Sequence, residues 1–195
     1  MFLSVFEMFK VGIGPSSSHT MGPMVAAATF LDLLRRSPFS PSGIRASLHG
    51  SLAFTGIGHA TDRAVILGLA GFKPDDYDAD LAEQTLALIK RDNFVEPAGL
   101  GTLKFDPETD LIFDYGPALP GHANGMIFMA TDAQGDVVLQ ETFYSVGGGF
   151  VLTEAELERG AAADNGPPIP YPFVSASEML AMCRASGKSI AELKR

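Results

Sequence analysis

The sequence predicts both helices and strands, the combination expected of an α+β fold. Apolar residues recur at helical spacing in residues 21–36 and again in residues 81–91. Residues 126–131 and 137–146 have strand character, and the acidic, glycine-containing turn at residues 132–136 joins them as a hairpin. The 195 residues suffice for one sizeable domain or two small ones.

The first predicted elements are helical. A short amphipathic helix is expected near the start, where Phe2, Val5, Phe6 and Phe9 follow helical spacing. The first long helix, residues 21–36, ends in two arginines, which suit the negative end of a helix dipole. Two prolines and a glycine in residues 37–43 then predict a loop. The residues expected to face inward from the long helix are Val25, Ala28, Leu31 and Leu34.

A strand, a glycine turn and two helices follow. Residues 44–52 predict a strand with Ile44, Ala46 and Leu48 on one face. A turn that begins at Thr55 leads into a helix at residues 62–69, and an acidic loop precedes a second helix at residues 81–91. The residues expected to face inward from this second helix are Leu81, Thr85, Leu88 and Ile89.

The second half of the chain is richer in strands. Residues 94–103 are expected to be irregular and residues 111–115 to form a strand, before the hairpin. Glycines 147–149 follow the hairpin and indicate a close approach of the backbone. The later elements are a short helix at 153–159, a stiff Pro-rich connector at 165–172, and helices at 175–185 and from 189.

Composition excludes several classes of function. The net charge of −9 and pI of about 4.8 argue against nucleic-acid binding and against anionic membrane surfaces. The apolar first residues are interrupted by Glu7 and Lys10, so they are expected to form neither a signal sequence nor a membrane span. The one cysteine, Cys183, can form no internal disulfide and cannot hold an iron–sulfur cluster. The chain is therefore expected to be cytoplasmic.

Three of the four histidines lie in glycine-flanked turns, where catalytic groups concentrate. His19 precedes Thr20, His59 lies two before Thr61, and His122 lies two before Asn124. We predict that these three turns share one face of the domain. His49 differs, since it falls inside a predicted strand, and is expected to be structural or exposed.

Two other chemistries are less consistent with this pattern. The separations between the histidines are long and no carboxylate joins them in a motif, so no metal site is predicted. A Gly-x-Ser-x-Gly elbow is absent from the sequence, which argues against Ser-His-Asp hydrolysis.

The segment around His19 has the order turn, hydroxyl cluster, helix. Ser16, Ser17, Ser18 and Thr20 are good helix caps, and that alone would account for them. The same helix N-terminus would also seat an anion such as a carboxylate, through its free N–H groups and dipole. His19, a residue type that titrates near neutral pH, lies next to this possible anion-binding site in the sequence.

The exact strings resemble the iron–sulfur L-serine dehydratases (L-serine ammonia-lyases), specifically their beta chain or N-terminal domain. Residues 50–53, 55–56, 58–59 and 61–62 resemble the second signature of that family, and residues 144–149 resemble the end of one of its strands. The opening signature is matched by residues 14–23, Gly-Pro-Ser-Ser-Ser-His-Thr-Met-Gly-Pro. The preceding residues 4–14 resemble the start of the same family's sequences.

The resemblance implies a reaction and a cofactor. Such enzymes convert L-serine to pyruvate and ammonia, a step of serine catabolism and gluconeogenesis, without pyridoxal phosphate. An iron of a [4Fe–4S] cluster acts as Lewis acid on the substrate hydroxyl, and a base removes the Cα proton. The cluster would be bound by the alpha domain and not by this chain. The expected partners are L-serine, that alpha domain or subunit, and further copies in a dimer or another homo-oligomer.

The resemblance also implies roles for single residues. Ser16, Ser17, Ser18 and Thr20 would bind substrate. The residues that would contribute to catalysis are His19, His59, Thr61, His122, Asn124 and Ser145. Which histidine is the base stays open.

By the same analogy the fold is α+β, a small mixed sheet covered by helices, similar to the allosteric substrate-binding domain of D-3-phosphoglycerate dehydrogenase. Residues 1–163 would form the beta domain and 164–174 the Pro-rich connector. Residues 175–195 would begin the linker to the alpha domain, so the chain would be the first portion of a longer enzyme or a free beta subunit. A regulatory L-serine-binding module without catalytic residues is the alternative, and it would share this fold.

Overall fold

A computed structural model describes residues 13–160, 170–173 and 175–193. These fall into two compact units that divide after Gly160. The helix predicted at residues 2–9 and most of the Pro-rich connector lie outside the described residues.

The first unit is built on a seven-stranded mixed sheet, which confirms the α+β class. Its strands are β1 (Gly43–Gly50), β2 (Phe94–Val95), β3 (Leu103–Lys104), β4 (Leu111–Asp114), β5 (Asn124–Thr131), β6 (Val137–Gly147) and β7 (Phe150–Thr153). The sheet order is β2-β3-β1-β5-β6-β7, with β4 paired to β1. Strand β1 lies in the middle, antiparallel to β5 and parallel to β3 and β4 on its other side.

Helices cover one face of this sheet. The long helix α1 (Gly22–Arg36) lies across β5, β6 and β7, and it packs against α3 (Thr61–Leu69). The two helices approach closely at Gly68, where an added Cβ would lie 2.6 Å from the carbonyl oxygen of Met24. The remaining helices of this unit are α2 (Ser51–Thr55), α4 (Ala79–Asp92) and α5 (Glu154–Arg159).

The core lies between α1 and the sheet. Phe30 of α1 stacks on Phe128 of β5, and Phe128 meets the edge of Phe143 on β6, with ring centroids 5.6 and 5.9 Å apart. All three rings are fully buried. Burial of each such side chain contributes about 1.5–3 kcal/mol, so this row of rings anchors α1 on the sheet.

The inward face predicted for α4 is wrong at two positions. Leu81 and Leu88 are about half exposed, while Ala82 and Ile89 are buried. The helix contacts α3 through a narrow stripe, and the leucines sit just outside it. Of the predicted α1 stripe, the three residues Ala28, Leu31 and Leu34 are buried and Val25 is partly buried.

Several short elements differ from the prediction. Strand β1 ends at Gly50, and the next five residues form helix α2 instead of extending the strand. Strands β2, β3 and β7 were not predicted, because two to four residues carry little periodicity. The hairpin of β5 and β6 is confirmed.

The second unit contains helices α6 (Ala176–Ser186) and α7 (Ile190–Leu193). The hydroxyl of Ser175 accepts the N–H of Glu178 at the start of α6, as its sequence predicts. Gly187, in the left-handed conformation, ends that helix.

Candidate functional site

The candidate site lies where neighbouring strands end and helix α1 begins. Strand β1 ends at Gly50, which pairs with Asn124 at the start of β5. Gly125 pairs in turn with Tyr144 near the end of β6. The turn that precedes α1 contacts the same end of β6. Segments from four distant parts of the sequence therefore meet at one edge of the sheet.

A π-helical turn, Ser17–Met21, leads into α1. The N–H of Gly22 donates to the carbonyl of Ser17, the wide hydrogen bond of a π-helix, and such turns are frequent at functional sites. The hydroxyl and the N–H of Thr20 both donate to the carbonyl of Ser16, at 2.5 and 2.9 Å. The interpretation of Ser16 as a side-chain helix cap is wrong, because its hydroxyl caps no N–H group of the turn.

The serine hydroxyls surround His19 instead. Nδ1 of His19 lies 3.3 Å from Oγ of Ser16 and 3.0 Å from Oγ of Ser18. Nε2 lies 3.1 Å from Oγ of Ser51 and 3.0 Å from Oγ1 of Thr55. The hydroxyls of Ser18 and Ser51, one beside each ring nitrogen, can donate or accept, so His19 keeps a partner on both nitrogens whichever one carries the proton. This arrangement suits proton transfer across the ring.

His59 lies beside His19, with ring centroids 4.8 Å apart. Nδ1 of His59 lies 2.9 Å from the carbonyl oxygen of Thr55. Because a carbonyl can only accept, Nδ1 carries the proton in the neutral ring and Nε2 is its basic nitrogen. A left-handed Ala60 turns the chain from His59 into α3.

The pair of imidazoles disfavours a charge on His19. Partial burial lowers the pKa of His19 below its usual value of 6.5, and the charge of His59 lowers that pKa further. A backbone hydrogen bond at Ser51 opposes these effects in part. His19 is therefore biased toward its neutral form near neutral pH.

His122 carries its proton on the opposite nitrogen from His59. The backbone N–H of Asn124 donates to Nδ1 of His122 at 3.1 Å, so Nε2 carries the proton in the neutral ring. The segment of His122 joins the His19 cluster through Ala123, whose carbonyl accepts the N–H of Ser51 at 2.8 Å. The turns of His19 and His59 thus share one surface, and the His122 turn is bonded to it.

Three other predicted site residues, Thr20, Thr61 and Ser145, are buried in the surrounding structure. Nδ2 of Asn124 donates to the carbonyl of Ser145 at 3.1 Å. The side chains of Ser145 and Thr61 are completely buried, and within the described ranges their hydroxyls have no hydrogen-bond partner. Thr20 is also buried, and its hydroxyl is engaged by Ser16. In this conformation these three hydroxyls are buried, whereas Ser17 is exposed.

Two residues that contact His19 were missed as site residues. Ser51 and Thr55 lie four apart on helix α2, so both hydroxyls fall on one helix face. The hydroxyl of Thr55 also donates to the carbonyl of Ser51 at 2.8 Å. The predicted strand at residues 44–52 concealed this helix, and the four-residue spacing was the signal that could have revealed it.

His49 is structural and not exposed. It lies on β1 with only 7% of its surface accessible, and Nε2 lies 2.9 Å from Oγ of Ser47. Nδ1 lies 3.6 Å from a carboxylate oxygen of Asp114.

The residues of this chain do not fit an iron–sulfur cluster. Such clusters are held by several cysteine thiolates, and Cys183 is the one cysteine in the sequence. In the part of the chain that the structure describes, no group of three or more His, Cys, Asp or Glu side chains is placed to hold a metal ion. No described helix has the length and apolar character needed to cross a membrane.

Comparison with known proteins gives a consistent result over almost the whole chain. A family model described as serine dehydratase beta chain matches residues 4–156. An L-serine dehydratase of Helicobacter pylori (strain J99) is 42% identical over 192 residues, and one of Streptomyces coelicolor is 42% identical over 195 residues. L-serine dehydratase TdcG of Escherichia coli (strain K12) is 43% identical over 194 residues. These alignments cover 98–99% of this chain but only 42–43% of each relative, so the chain spans less than half of their length.

Proposed function

Because the chain belongs to the serine dehydratase beta chain family, we propose that it forms the beta portion of an L-serine dehydratase. The complete enzyme would deaminate L-serine to pyruvate and ammonia. The observation that carries the proposal is the histidine site. In their neutral forms the rings of His59 and His122 have opposite tautomers, each set by one backbone contact, and His19 beside His59 has a hydroxyl at each ring nitrogen.

Deamination of serine needs a base for the Cα proton and a proton donor near the departing hydroxyl or the carboxylate. The tautomers divide these roles. His59 presents a basic Nε2, because its Nδ1–H is bonded to Thr55. His122 presents an Nε2–H, because its Nδ1 accepts from Asn124. We therefore assign His59 as the base and His122 as the donor.

His19 would relay protons between the solvent side and His59. Its ring lies against that of His59, and hydroxyl groups contact both of its nitrogens. Its lowered pKa favours the neutral ring, which can both accept and donate a proton. The four hydroxyls keep the ring oriented during that exchange.

Substrate binding would use the opening turn and Asn124. The exposed Ser17 and the partly buried Ser18 lie at the start of α1, where the helix dipole favours a carboxylate. The amide of Asn124 uses Nδ2 toward the carbonyl of Ser145, so Oδ1 can accept a hydrogen bond from the substrate ammonium.

The remainder of the enzyme would supply the [4Fe–4S] cluster, which these residues cannot hold. A polarising Lewis acid for the substrate hydroxyl would come from there. Three exposed apolar side chains beside the histidines support a docking surface for that portion: Phe54, Ile57 and Tyr115 are each more than half exposed. Phe54 and Tyr115 contact edge to face at 5.4 Å. The cytoplasmic location and the homo-oligomer remain predictions.

The proposal is tested by co-producing this chain with the cluster-binding portion of a serine dehydratase and assaying it anaerobically. Pyruvate should form from L-serine, and neither half alone should produce it. Formation of a complex that binds L-serine but releases no pyruvate, with the cluster present, would favour the regulatory module instead. Failure of any L-serine binding by an assembled complex would contradict the proposal.

A further inference from the structure

A second row of contacting polar side chains lies outside the candidate site, on the face of β1 opposite Ile44, Ala46 and Leu48. It consists of Ser47, His49 and Asp114. Nε2 of His49 lies 2.9 Å from Oγ of Ser47, and Nδ1 lies 3.6 Å from the Asp114 carboxylate, within the range of an ion pair. The imidazole is buried, whereas the Asp114 side chain is 46% exposed.

The order serine, histidine, aspartate matches a hydrolytic triad, but the surroundings do not. Ser47 lies in the middle of β1 and pairs with Ile112 on one side and Ile127 on the other. The backbone N–H groups around Ser47 are therefore bonded within the sheet. They cannot form an oxyanion hole, which needs free N–H donors. The row must serve something other than nucleophilic catalysis.

Asp114 connects His49 to the segment that carries His122. It is the last residue of β4, directly paired with His49, and its other carboxylate oxygen accepts the N–H of Gly116 at 2.8 Å. Residues 115–123 begin there and return to β1 through the bond from the Ser51 N–H to Ala123. The two ends of the segment are thus attached to His49 near the end of β1 and to Ser51 at the start of α2, two residues apart.

The same segment packs tightly on the residue between those attachments. Gly50 has a positive φ of 57°, and an added Cβ would overlap the carbonyl oxygen of Ala123 and lie 3.0 Å from Cβ of Ala118. A small shift of Asp114 would therefore move the segment against β1, and His122 lies one residue before Ala123.

We propose that His49 is a positioning residue: through Asp114 it fixes the start of segment 115–123 and so the place of His122. This rests on the proposed function only where His122 is said to act on substrate. The structural part concerns the segment alone and can be tested without catalysis.

Three substitutions distinguish the contact of Nδ1 of His49 with Asp114 from the contact of Nε2 with Ser47. In His49→Asn the amide nitrogen can occupy the place of Nδ1 and keep the contact with Asp114. In His49→Gln the amide lies near the place of Nε2, so the Ser47 contact is kept and the Asp114 contact is lost. Ser47→Ala removes only the hydroxyl and is the matched control.

Hydrogen exchange of backbone amides in residues 115–123 gives the first readout, measured on this chain. Loss of the contact with the Asp114 carboxylate should raise exchange there about tenfold in His49→Gln. In His49→Asn and Ser47→Ala the exchange rates of these amides should stay within about threefold of the wild type, as expected for a substitution with only a local effect. Equal exchange in all three variants, or faster exchange in Ser47→Ala than in His49→Gln, overturns the proposal.

The complete enzyme gives the second readout. His49→Gln should lower kcat about tenfold with the cluster content and the L-serine KM nearly unchanged, and His49→Asn should recover most of it. If amide exchange in residues 115–123 changes as expected but kcat does not, His49 fixes the segment, and the proposed catalytic role of His122 is contradicted. If His49→Asn and His49→Gln lose kcat equally while exchange is normal, the positioning role fails.

Discussion

Substitution of Gly22 tests how closely the start of α1 meets the end of β6. A Cβ at Gly22 would lie 2.7 Å from Cβ of Ser145, and the hydroxyl oxygen of Ser145 would be closer still. Both residues are buried, so neither side chain can turn into solvent. The backbone at Gly22 is ordinary right-handed helix, with φ of −56°, so Gly22→Ala adds a clash without backbone strain.

The expected magnitude follows from two opposing effects. Overpacking a well-packed site costs about 1–3 kcal/mol. Alanine is preferred over glycine by up to about 1 kcal/mol inside a helix, and by less at its first residue. The net destabilisation should therefore be about 1–2 kcal/mol, which lowers Tm by about 2–8 °C for a chain of this size.

The assay is urea unfolding followed by circular dichroism, with two companion variants. Gly58→Ala is the control, because an added Cβ there has no heavy atom within 4 Å. Gly22→Ala combined with Ser145→Gly should recover most of the loss, since the clashing atoms are then gone. A Gly22→Ala midpoint equal to that of Gly58→Ala would refute the packing described at this junction.

Other predictions concern charge, docking and iron. Because the pKa of His19 is lowered in the folded chain, the unfolded chain takes up the proton first as pH falls. The contribution of His19 to the free energy of unfolding should be full above pH 6.5 and decline below it. Urea midpoints measured across this pH range should show the decline in the wild type, and His19→Gln should remove it. Phe54→Ser should weaken binding to the cluster-bearing portion about tenfold in titration calorimetry, as expected for an interface aromatic, while the similarly exposed Leu88→Ser leaves it unchanged. This chain alone should bind no stoichiometric iron and sulfide after anaerobic reconstitution, because Cys183 is its one thiol.

The long elements were predictable because their signals are local. Helix α1 and the β5–β6 hairpin depend on spacing and turn residues that lie within a few positions of each other. Leu81 and Leu88 were misplaced because helical spacing shows an apolar stripe but not which part of it a neighbouring helix covers. The contact of α4 with α3 decides that, and no local pattern encodes it.

The candidate site was predictable as a set of turns but not as a set of bonds. His19 and His59 were placed together by their similar glycine-flanked settings, and the structure brings their rings into contact. The hydroxyls of Ser51 and Thr55 join them only because β1 stops at Gly50 and a short helix begins there. Likewise, the opposite tautomers of His59 and His122 follow from single backbone contacts.

If side chains of this chain take part in the chemistry of L-serine deamination, His59→Asn in the complete enzyme should be catalytically impaired. Asparagine can keep the donor that bonds to the Thr55 carbonyl, but it removes the basic Nε2. With the cluster content unchanged, we predict that kcat at saturating L-serine falls by about 10²–10⁴-fold, the usual contribution of a positioned base, while KM changes little. A variant that keeps the wild-type kcat and differs only in KM or in its response to serine concentration would contradict a catalytic contribution of His59 and favour a regulatory module.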